Sequence, residues 1–135
     1  MAGTSKTTYA ANAVLNMYLR GVNYTAPTAP YIALYTSDPG ETGTGAEVSG
    51  GSYARQQLTF SSPASAGATG SKTETSADAV FPAATAAWGL ITHAGICDAQ
   101  TGGNILYYAE LTTPRTVIAG DQFNFKAGNI SVTED

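Results

Sequence analysis

The stretch WGLITHAGICDAQTGGNILYYAEL, residues 88–111, decides the fold. Its first part, residues 88–98, is the most core-like run of the chain, and its last part, residues 104–111, is rich in the Ile, Leu and Tyr side chains that pack well in sheets. Between them, residues 99–103 contain two glycines and a threonine, which is typical of a turn. The stretch therefore predicts an antiparallel β-hairpin.

Further strand-like segments lie on both sides of this hairpin, separated by turn signals. They cover residues 31–36, 53–60, 79–82, 116–118, 122–125 and 130–132. Seven or eight short strands with turns between them predict an all-β fold, an antiparallel, jelly-roll-like β-sandwich. Segments 40–52 and 61–77 are poor in large apolar residues and are predicted to be long loops. Order in segment 61–77 would need outside support, for example a neighbouring subunit.

The segment before residue 30 contains the one convincing helix. Ser5 or Thr7 can cap its N-terminus, and Gly21 follows at the position of a C-terminal cap. Its apolar and aromatic side chains form one face and an adjoining stripe: Tyr9, Ala10, Ala13, Val14, Met17 and Tyr18 on the face, and Ala11, Leu15 and Leu19 on the stripe. So wide an apolar surface must be covered on more than one side, either by the chain's own sheet or by another subunit.

Size and charge limit the classes of function. The 135 residues are expected to form a single domain, with an N-terminal arm and helix in 1–30 and the β-sandwich in 31–135. Only 12% of the residues are charged, so a partner surface is expected to cover part of the protein. The net charge of −4 and the scattered basic residues argue against nucleic-acid binding. Membrane-span and signal-peptide patterns are both missing, so no membrane partner is expected.

Groups that could carry out catalysis are scarce. His93 and Cys97 lie four residues apart on one predicted strand, about 13 Å from each other, which is too far for a dyad. Cys97 is expected to be a small buried hydrophobe. We therefore predict no catalytic residue, no cofactor, no metal site and no enzyme activity. Asp38, Glu41 and Glu47 offer the oxygen ligands that calcium prefers, without the calcium-loop spacing, and whether they bind an ion is left open.

The helix and the tyrosines supply the candidate interaction surface. Large aromatic side chains are common anchors of protein interfaces, although core packing also accounts for them. The predicted interface residues are Tyr9, Val14, Met17, Tyr18, Tyr24 and Tyr107.

Five motifs follow one another along the chain: YIALYTSDP at 31–39, EVSGGSYARQ at 47–56, FPAATAAWG at 81–89, HAGICDA at 93–99 and GGNILYYA at 102–109. With these motifs the whole chain resembles a family of small virion proteins of tailed bacteriophages. The resemblance implies a structural protein that is made in the host bacterial cytoplasm and located in the virion. Cys97 departs from the family pattern, in which an aromatic residue is expected.

The resemblance allows two roles. The first is a capsid cement, or decoration, protein on the capsid surface, bound to the major capsid protein and to itself, by analogy as a trimer. Bridging capsomers favours a rigid sandwich with an arm and surfaces of low charge. The alternative is a tail or head fibre component, or an adhesion module that binds host glycan. The sequence contains no internal repeat of the kind found in elongated fibres, so the cement role is the first interpretation.

Overall fold

A computed structural model describes residue 1 and residues 3–135 of the chain. It has an α-helix, α1 (Thr8–Leu19), and a short 3-10 helix (Gly67–Thr69). The strands, in chain order, are β1 (Ser5–Lys6), β2 (Tyr31–Tyr35), β3 (Gln56–Gln57), β4 (Ala64–Ser65), β5 (Ser71–Glu74), β6 (Ala79–Val80), β7 (Gly89–Cys97), β8 (Ile105–Val117), β9 (Asn124–Phe125) and β10 (Ser131–Glu134). Each strand pairing is antiparallel, which confirms the predicted all-β fold with one N-terminal α-helix.

The largest sheet has five strands in the order β1-β8-β7-β2-β3. At its centre is the hairpin predicted from residues 88–111, in which His93 of β7 faces Glu110 of β8. The Asp98 side chain fixes the turn, since its Oδ1 accepts a hydrogen bond from the Asn104 backbone N–H at 2.8 Å. The N-terminal arm also contributes to this sheet, because β1 is its edge strand.

Strand β8 is longer than the sequence predicts. The segment 116–118, expected as a separate strand, includes the end of β8. The pairing register between β7 and β8 shifts between Ile91 and His93. Pro114 lies in the part of β8 that this shift leaves without regular partners, and proline has no N–H to donate to a ladder. The irregularity lets one strand continue through Pro114 and join the predicted segments 104–111 and 116–118.

Two smaller sheets, β10-β5-β4 and β6-β9, complete the fold. Strands β4 and β5 lie within segment 61–77, which was predicted to be a loop. β5 pairs with the C-terminal strand β10, from Ser71 opposite Glu134 to Glu74 opposite Ser131. Backbone hydrogen bonds to the chain's own C-terminal strand therefore hold this segment in place.

The hydrophobic core brings side chains from all three sheets together, as expected for a β-sandwich. Its largest fully buried side chains are those of Phe81, Ile32, Leu34, Leu58, Ile91 and Ile130. Aromatic rings occupy its centre. The Phe81 ring centroid lies 5.9 Å from those of Tyr53 and Phe123, and 6.2 Å from that of Trp88.

A tight turn before Tyr53 holds the tryptophan of this core. Gly50, Gly51 and Ser52 all have left-handed backbones, with φ values of 75°, 58° and 66°. The Gly51 carbonyl accepts a hydrogen bond from Trp88 Nε1 at 2.9 Å. A Cβ atom on Gly51 would lie 2.9 Å from Trp88 Nε1, whereas a Cβ atom on Gly50 would meet nothing within 4 Å. Only one of the two glycines is therefore required by packing.

Replacing Gly51 with alanine is expected to lower the free energy of unfolding by about 3 kcal/mol. The left-handed backbone costs an alanine about 1–2 kcal/mol. The new Cβ atom would lie 2.9 Å from both Trp88 Nε1 and the Ala86 carbonyl oxygen, which adds about 1–3 kcal/mol. Gly50→Ala is the matched control, since it adds only the backbone cost. Urea unfolding of both variants measures the difference. Equal losses in the two variants would contradict a packing requirement for glycine at position 51.

Candidate functional site

Helix α1 is fastened to the main sheet at its first turn. The Thr7 hydroxyl accepts a hydrogen bond from the Ala10 backbone N–H at 3.3 Å and donates one to the Ile105 carbonyl at 2.6 Å. Thr7 is 2% exposed, so this cap is buried against β8. Of the two residues predicted as the N-cap, Thr7 has this role and Ser5 belongs to β1. The Thr7 hydrogen bonds therefore position the N-terminal end of the helix on the sheet.

The helix turns one apolar face towards the protein. Ala10, Ala13, Val14 and Met17 lie at three- and four-residue spacing and line a small apolar cavity of about 180 Å³ together with Leu106, Tyr107 and Tyr24. We call these four helix residues the inner face. Ala10 is the buried residue of α1, all of which belongs to the described part of the chain. Contact with the sheet thus covers little of the helix.

A second apolar stripe of the helix faces solvent. It consists of Leu15, Tyr18, Leu19 and Val22, which are 54%, 76%, 77% and 45% exposed. We call these four residues the outer stripe. The three- and four-residue spacing of Leu15, Tyr18 and Leu19 places these three on one side of the helix, and Val22 follows the end of the helix. Gly21 has a φ of 66°, and the Val22 backbone N–H donates to the Asn16 carbonyl at 3.0 Å, which folds Val22 back onto the last turn.

The six predicted interface residues fall into two groups. Tyr9, Met17 and Tyr18 are exposed, whereas Val14, Tyr24 and Tyr107 are half-buried. Tyr107 has partners within the chain, because its hydroxyl donates to Glu134 Oε2 at 2.6 Å and Glu134 also pairs with Lys6. The prediction did not include Leu15, Leu19 and Val22. The spacing of Leu15 and Leu19 was visible in the sequence, but the sequence did not show which of two neighbouring stripes faces the sheet.

A polar cleft of about 530 Å³ lies at the N-terminal end of α1, between residues 7–9, the loop 41–47 and the turn 102–105. Arg55 and Glu47 line this polar cleft, as does the Tyr9 side chain, with Tyr9 41% exposed. Its walls thus combine an accessible aromatic ring with charged groups.

Glu47 and Arg55 form an ion pair with two parallel hydrogen bonds. Arg55 Nε donates to Glu47 Oε2 and Arg55 Nη2 donates to Glu47 Oε1, each at 2.8 Å. The Tyr53 hydroxyl also donates to Glu47 Oε2 at 2.8 Å. Arg55 Nη1 reaches the hairpin turn and donates to the carbonyls of Ala99 at 2.9 Å and Gly102 at 2.8 Å. One guanidinium therefore joins the loop 41–47 to the hairpin turn, which are two walls of the polar cleft.

Burial and hydrogen bonding act in opposite directions on Glu47. Burial raises the pKa of its carboxyl, but the hydrogen bonds from Arg55 and Tyr53 outweigh burial and hold this pKa below its ordinary value of 4.5. The carboxylate is therefore the favoured form in the folded protein.

The loop carboxylates considered for calcium are not gathered into one site. Asp38 Oδ1 accepts a hydrogen bond from the Gly40 backbone N–H at 2.8 Å, and the Glu47 carboxylate accepts hydrogen bonds from Arg55 and Tyr53. Across residue 1 and residues 3–135, no three His, Cys, Asp or Glu side chains are grouped as metal ligands. Glu41 lines the polar cleft, whereas Arg55 and Tyr53 bond to Glu47.

The two other chemically distinctive residues lie in the main sheet. Cys97 is buried, as predicted, with the Tyr35 hydroxyl 3.7 Å from its Sγ atom. Burial raises the pKa of the Cys97 thiol, which lowers its reactivity. His93 is half-buried, and its Nδ1 atom lies 2.8 Å from the Thr92 hydroxyl. This placement gives Cys97 a packing role.

The helices in the described part of the chain are too short or too polar to cross a membrane. No curated protein matches the sequence. A family model described as "Podophage GP4 fiber I protein gp80" matches residues 5–133, a range that includes α1, the outer stripe and the polar cleft. The chain therefore belongs to this gp80 family of podophage fiber I proteins, and it is a structural protein of a tailed-phage virion.

Proposed function

We propose that the protein is a structural component of a virion fibre. The observation that carries this proposal is the family match, which extends over residues 5–133 and names a fibre protein. The exposed outer stripe is consistent with it, because a contiguous apolar surface on a small protein marks a contact with another molecule.

The capsid cement role, which the sequence put first, has less support. The family description names a fibre and not a capsid protein. The sequence contains no internal repeat, but a fibre can also be assembled from several copies of a short chain. Attachment to the major capsid protein and a trimeric state therefore become alternatives to test.

Copy number in purified virions separates the two roles. Quantitative mass spectrometry against the major capsid protein is expected to give a few copies per particle, as for a fibre at one or a few positions. A copy number close to that of the major capsid protein would contradict the fibre role and support a shell-covering cement protein. The same preparation, after removal of the tails, shows whether the protein leaves with them.

The polar cleft favours a second candidate function, binding of a host glycan. Sugars are recognised by aromatic faces that stack on the ring and by polar groups that bond the hydroxyls, and an exposed Tyr9 stands beside Thr42 and Asn104 in the cleft. This function is compatible with a fibre, which touches the host surface. It concerns a site separate from the outer stripe.

An array of bacterial surface polysaccharides tests this second function. The wild-type chain is expected to bind some of them, and Tyr9→Ala is expected to weaken that binding about two- to tenfold, since stacking on an aromatic ring is worth about 0.5–1.5 kcal/mol. Leu90→Ala is the control, because Leu90 is 49% exposed and belongs neither to the polar cleft nor to the outer stripe. A flat response of the wild type, or equal losses in the two variants, would contradict glycan binding in the cleft.

A further inference from the structure

A second concave surface lies beside the polar cleft, between α1 and residues 23–24, with a volume of about 300 Å³. Its lining consists of two tyrosines, three asparagines and one alanine: Tyr9, Asn12, Ala13, Asn16, Asn23 and Tyr24. We call it the amide recess. Tyr9 also lines the polar cleft, so the two concave surfaces meet at this ring. Both volumes fall in the range of small-molecule sites, roughly 300–1,000 Å³.

The amide groups of this recess are available to a ligand. Within residue 1 and residues 3–135, the three asparagine side chains make one hydrogen bond to another protein group, which Asn16 Oδ1 accepts from Arg20 Nη1 at 2.8 Å. Each amide has two N–H donors and a carbonyl acceptor, so all three keep their donors. Asn12 lies in the interior of the helix, where asparagine is a weak helix former. The stability of the fold therefore does not explain this side chain.

The two tyrosines add aromatic and hydroxyl groups to the recess. Tyr9 is 41% exposed and Tyr24 is half-buried. Burial, together with the neighbouring Tyr9 and Asp98, raises the pKa of the Tyr24 hydroxyl above its ordinary value of 10.0. The hydroxyl therefore stays protonated at neutral pH and can donate a hydrogen bond. Aromatic rings beside neutral amides suit a sugar, because the rings pack on its C–H groups and the amides bond its hydroxyls.

The charges that line the two surfaces favour an uncharged ligand. Arg55 is the cation of the polar cleft, and its guanidinium already makes two hydrogen bonds to Glu47 and two to backbone carbonyls of the hairpin turn. Glu41 adds a carboxylate to the cleft, whereas the side chains of the amide recess are neutral at pH 7. An acidic sugar would meet this carboxylate while the arginine stays paired, so it should bind more weakly than a neutral sugar.

The start of α1 does not reverse this preference for neutral ligands. A helix N-terminus attracts anions through its unpaired backbone N–H groups. Here the Thr8 N–H donates to the Glu41 carbonyl at 3.0 Å, and the Ala10 N–H donates to the Thr7 hydroxyl at 3.3 Å. Groups of the chain itself thus occupy these two donors.

We propose that the polar cleft and the amide recess are two subsites of one binding site for a neutral oligosaccharide, with Tyr9 between them. This proposal rests on the proposed glycan binding and names the class of glycan, a chain of two or more uncharged sugars. One sugar lies in the polar cleft and a neighbouring sugar lies in the amide recess, where Asn12 and Asn23 bond its hydroxyl groups.

Binding as a function of charge and of length tests the proposal. The array of bacterial surface polysaccharides is sorted into neutral members and acidic members that contain uronic or sialic acid, and the wild type is expected to bind neutral ones. Fragments of the best-bound neutral polysaccharide, from a single sugar upwards, are then measured by isothermal titration calorimetry. The affinity is expected to rise about tenfold or more once a fragment reaches both subsites, since the second subsite adds hydrogen bonds.

The Asn12→Ala/Asn23→Ala variant is expected to abolish this gain of affinity with length. Alanine is a better helix former than asparagine, so the change at position 12 should not unfold α1, and circular dichroism checks the helix content. Asn124→Ala is the matched control, because Asn124 is an exposed asparagine of β9 that lines neither subsite. It is expected to keep the wild-type affinity for every fragment.

The outcomes separate this proposal from glycan binding itself. Stronger binding of acidic polysaccharides, an affinity that does not rise with length, or a double variant equal to the wild type would each overturn the two-subsite site. Glycan binding in the polar cleft would still stand if Tyr9→Ala weakened the binding. A wild type that binds no polysaccharide would overturn glycan binding and this proposal together, and the fibre function would still be decided by copy number.

Discussion

Arg55→Met is expected to lower the free energy of unfolding by about 3–5 kcal/mol, the range for removing one partner of a buried ion pair. The Arg55 side chain is 9% exposed and that of Glu47 is 27% exposed, so water replaces little of the lost interaction. The variant leaves the Glu47 carboxylate with Tyr53 alone and deprives the Ala99 and Gly102 carbonyls of their donor. Urea unfolding at neutral pH measures the loss.

Two further variants separate the ion pair from the packing of the Arg55 stem. Arg55→Lys keeps the charge but has no planar group for two parallel bonds, and it is expected to lose about half as much stability. Glu47→Gln/Arg55→Met removes both charges and is expected to be more stable than Arg55→Met alone. A loss below about 1 kcal/mol in Arg55→Met would contradict this account, because it would equate the pair with an exposed salt bridge.

The same pair makes stability depend on pH in a defined direction. The pKa of Glu47 is lower in the folded than in the unfolded protein, so its contribution is complete above the ordinary value of 4.5 and is lost as the pH falls through the folded value. In Arg55→Met the pKa of Glu47 is expected to rise, since burial remains and the main hydrogen-bond donor is gone. The wild type is therefore expected to lose more stability on acidification than the variant, and an equal loss in both would point to other carboxylates.

The elements with local sequence signals were predictable. The hairpin of residues 88–111 combines strand-forming residues with a glycine turn, and the Thr7 cap precedes a helical spacing, so each could be recognised within a short window. Segment 61–77 was missed because its stability comes from pairing with residues near the C-terminus, and short polar side chains give no sign of that pairing. The continuity of β8 between the predicted segments 104–111 and 116–118 was missed for a related reason, since a register shift in its pairing with β7 accommodates Pro114.

The candidate sites show the same limit. The motif EVSGGSYARQ contains both Glu47 and Arg55, but their pairing depends on how the turn at Gly50 and Gly51 brings two extended segments together. The outer stripe was present in the sequence as one of two adjoining apolar stripes. Which stripe is covered depends on the direction in which Thr7 fastens the helix to β8, and this is a tertiary property.

Phe81→Ala is expected to cost about 3–5 kcal/mol, the range for removing a large aromatic ring from a core. Phe81 is 0% exposed and its ring meets Tyr53, Trp88 and Phe123, which come from different parts of the chain. Loss of the ring also removes edge-to-face contacts, which contribute beyond the buried area. Val80→Ala is the matched control. The adjacent Val80 is 44% exposed, and its truncation is expected to change stability by about 0.5 kcal/mol or less.

The position of Phe81 explains why this loss should approach the upper end of the range. Phe81 directly follows β6, and its backbone N–H donates to the Phe123 carbonyl at 2.9 Å, so backbone pairing holds the chain on both sides of the cavity that alanine would leave. A cavity costs most where its walls cannot move inwards, and here they belong to paired strands and rigid rings. Phe81→Leu, which fills part of the space, is expected to recover more than half of the loss. If Phe81→Ala lost no more than Phe81→Leu, the walls would have closed on the cavity, and the two small sheets would be more mobile relative to the main sheet than their packing indicates.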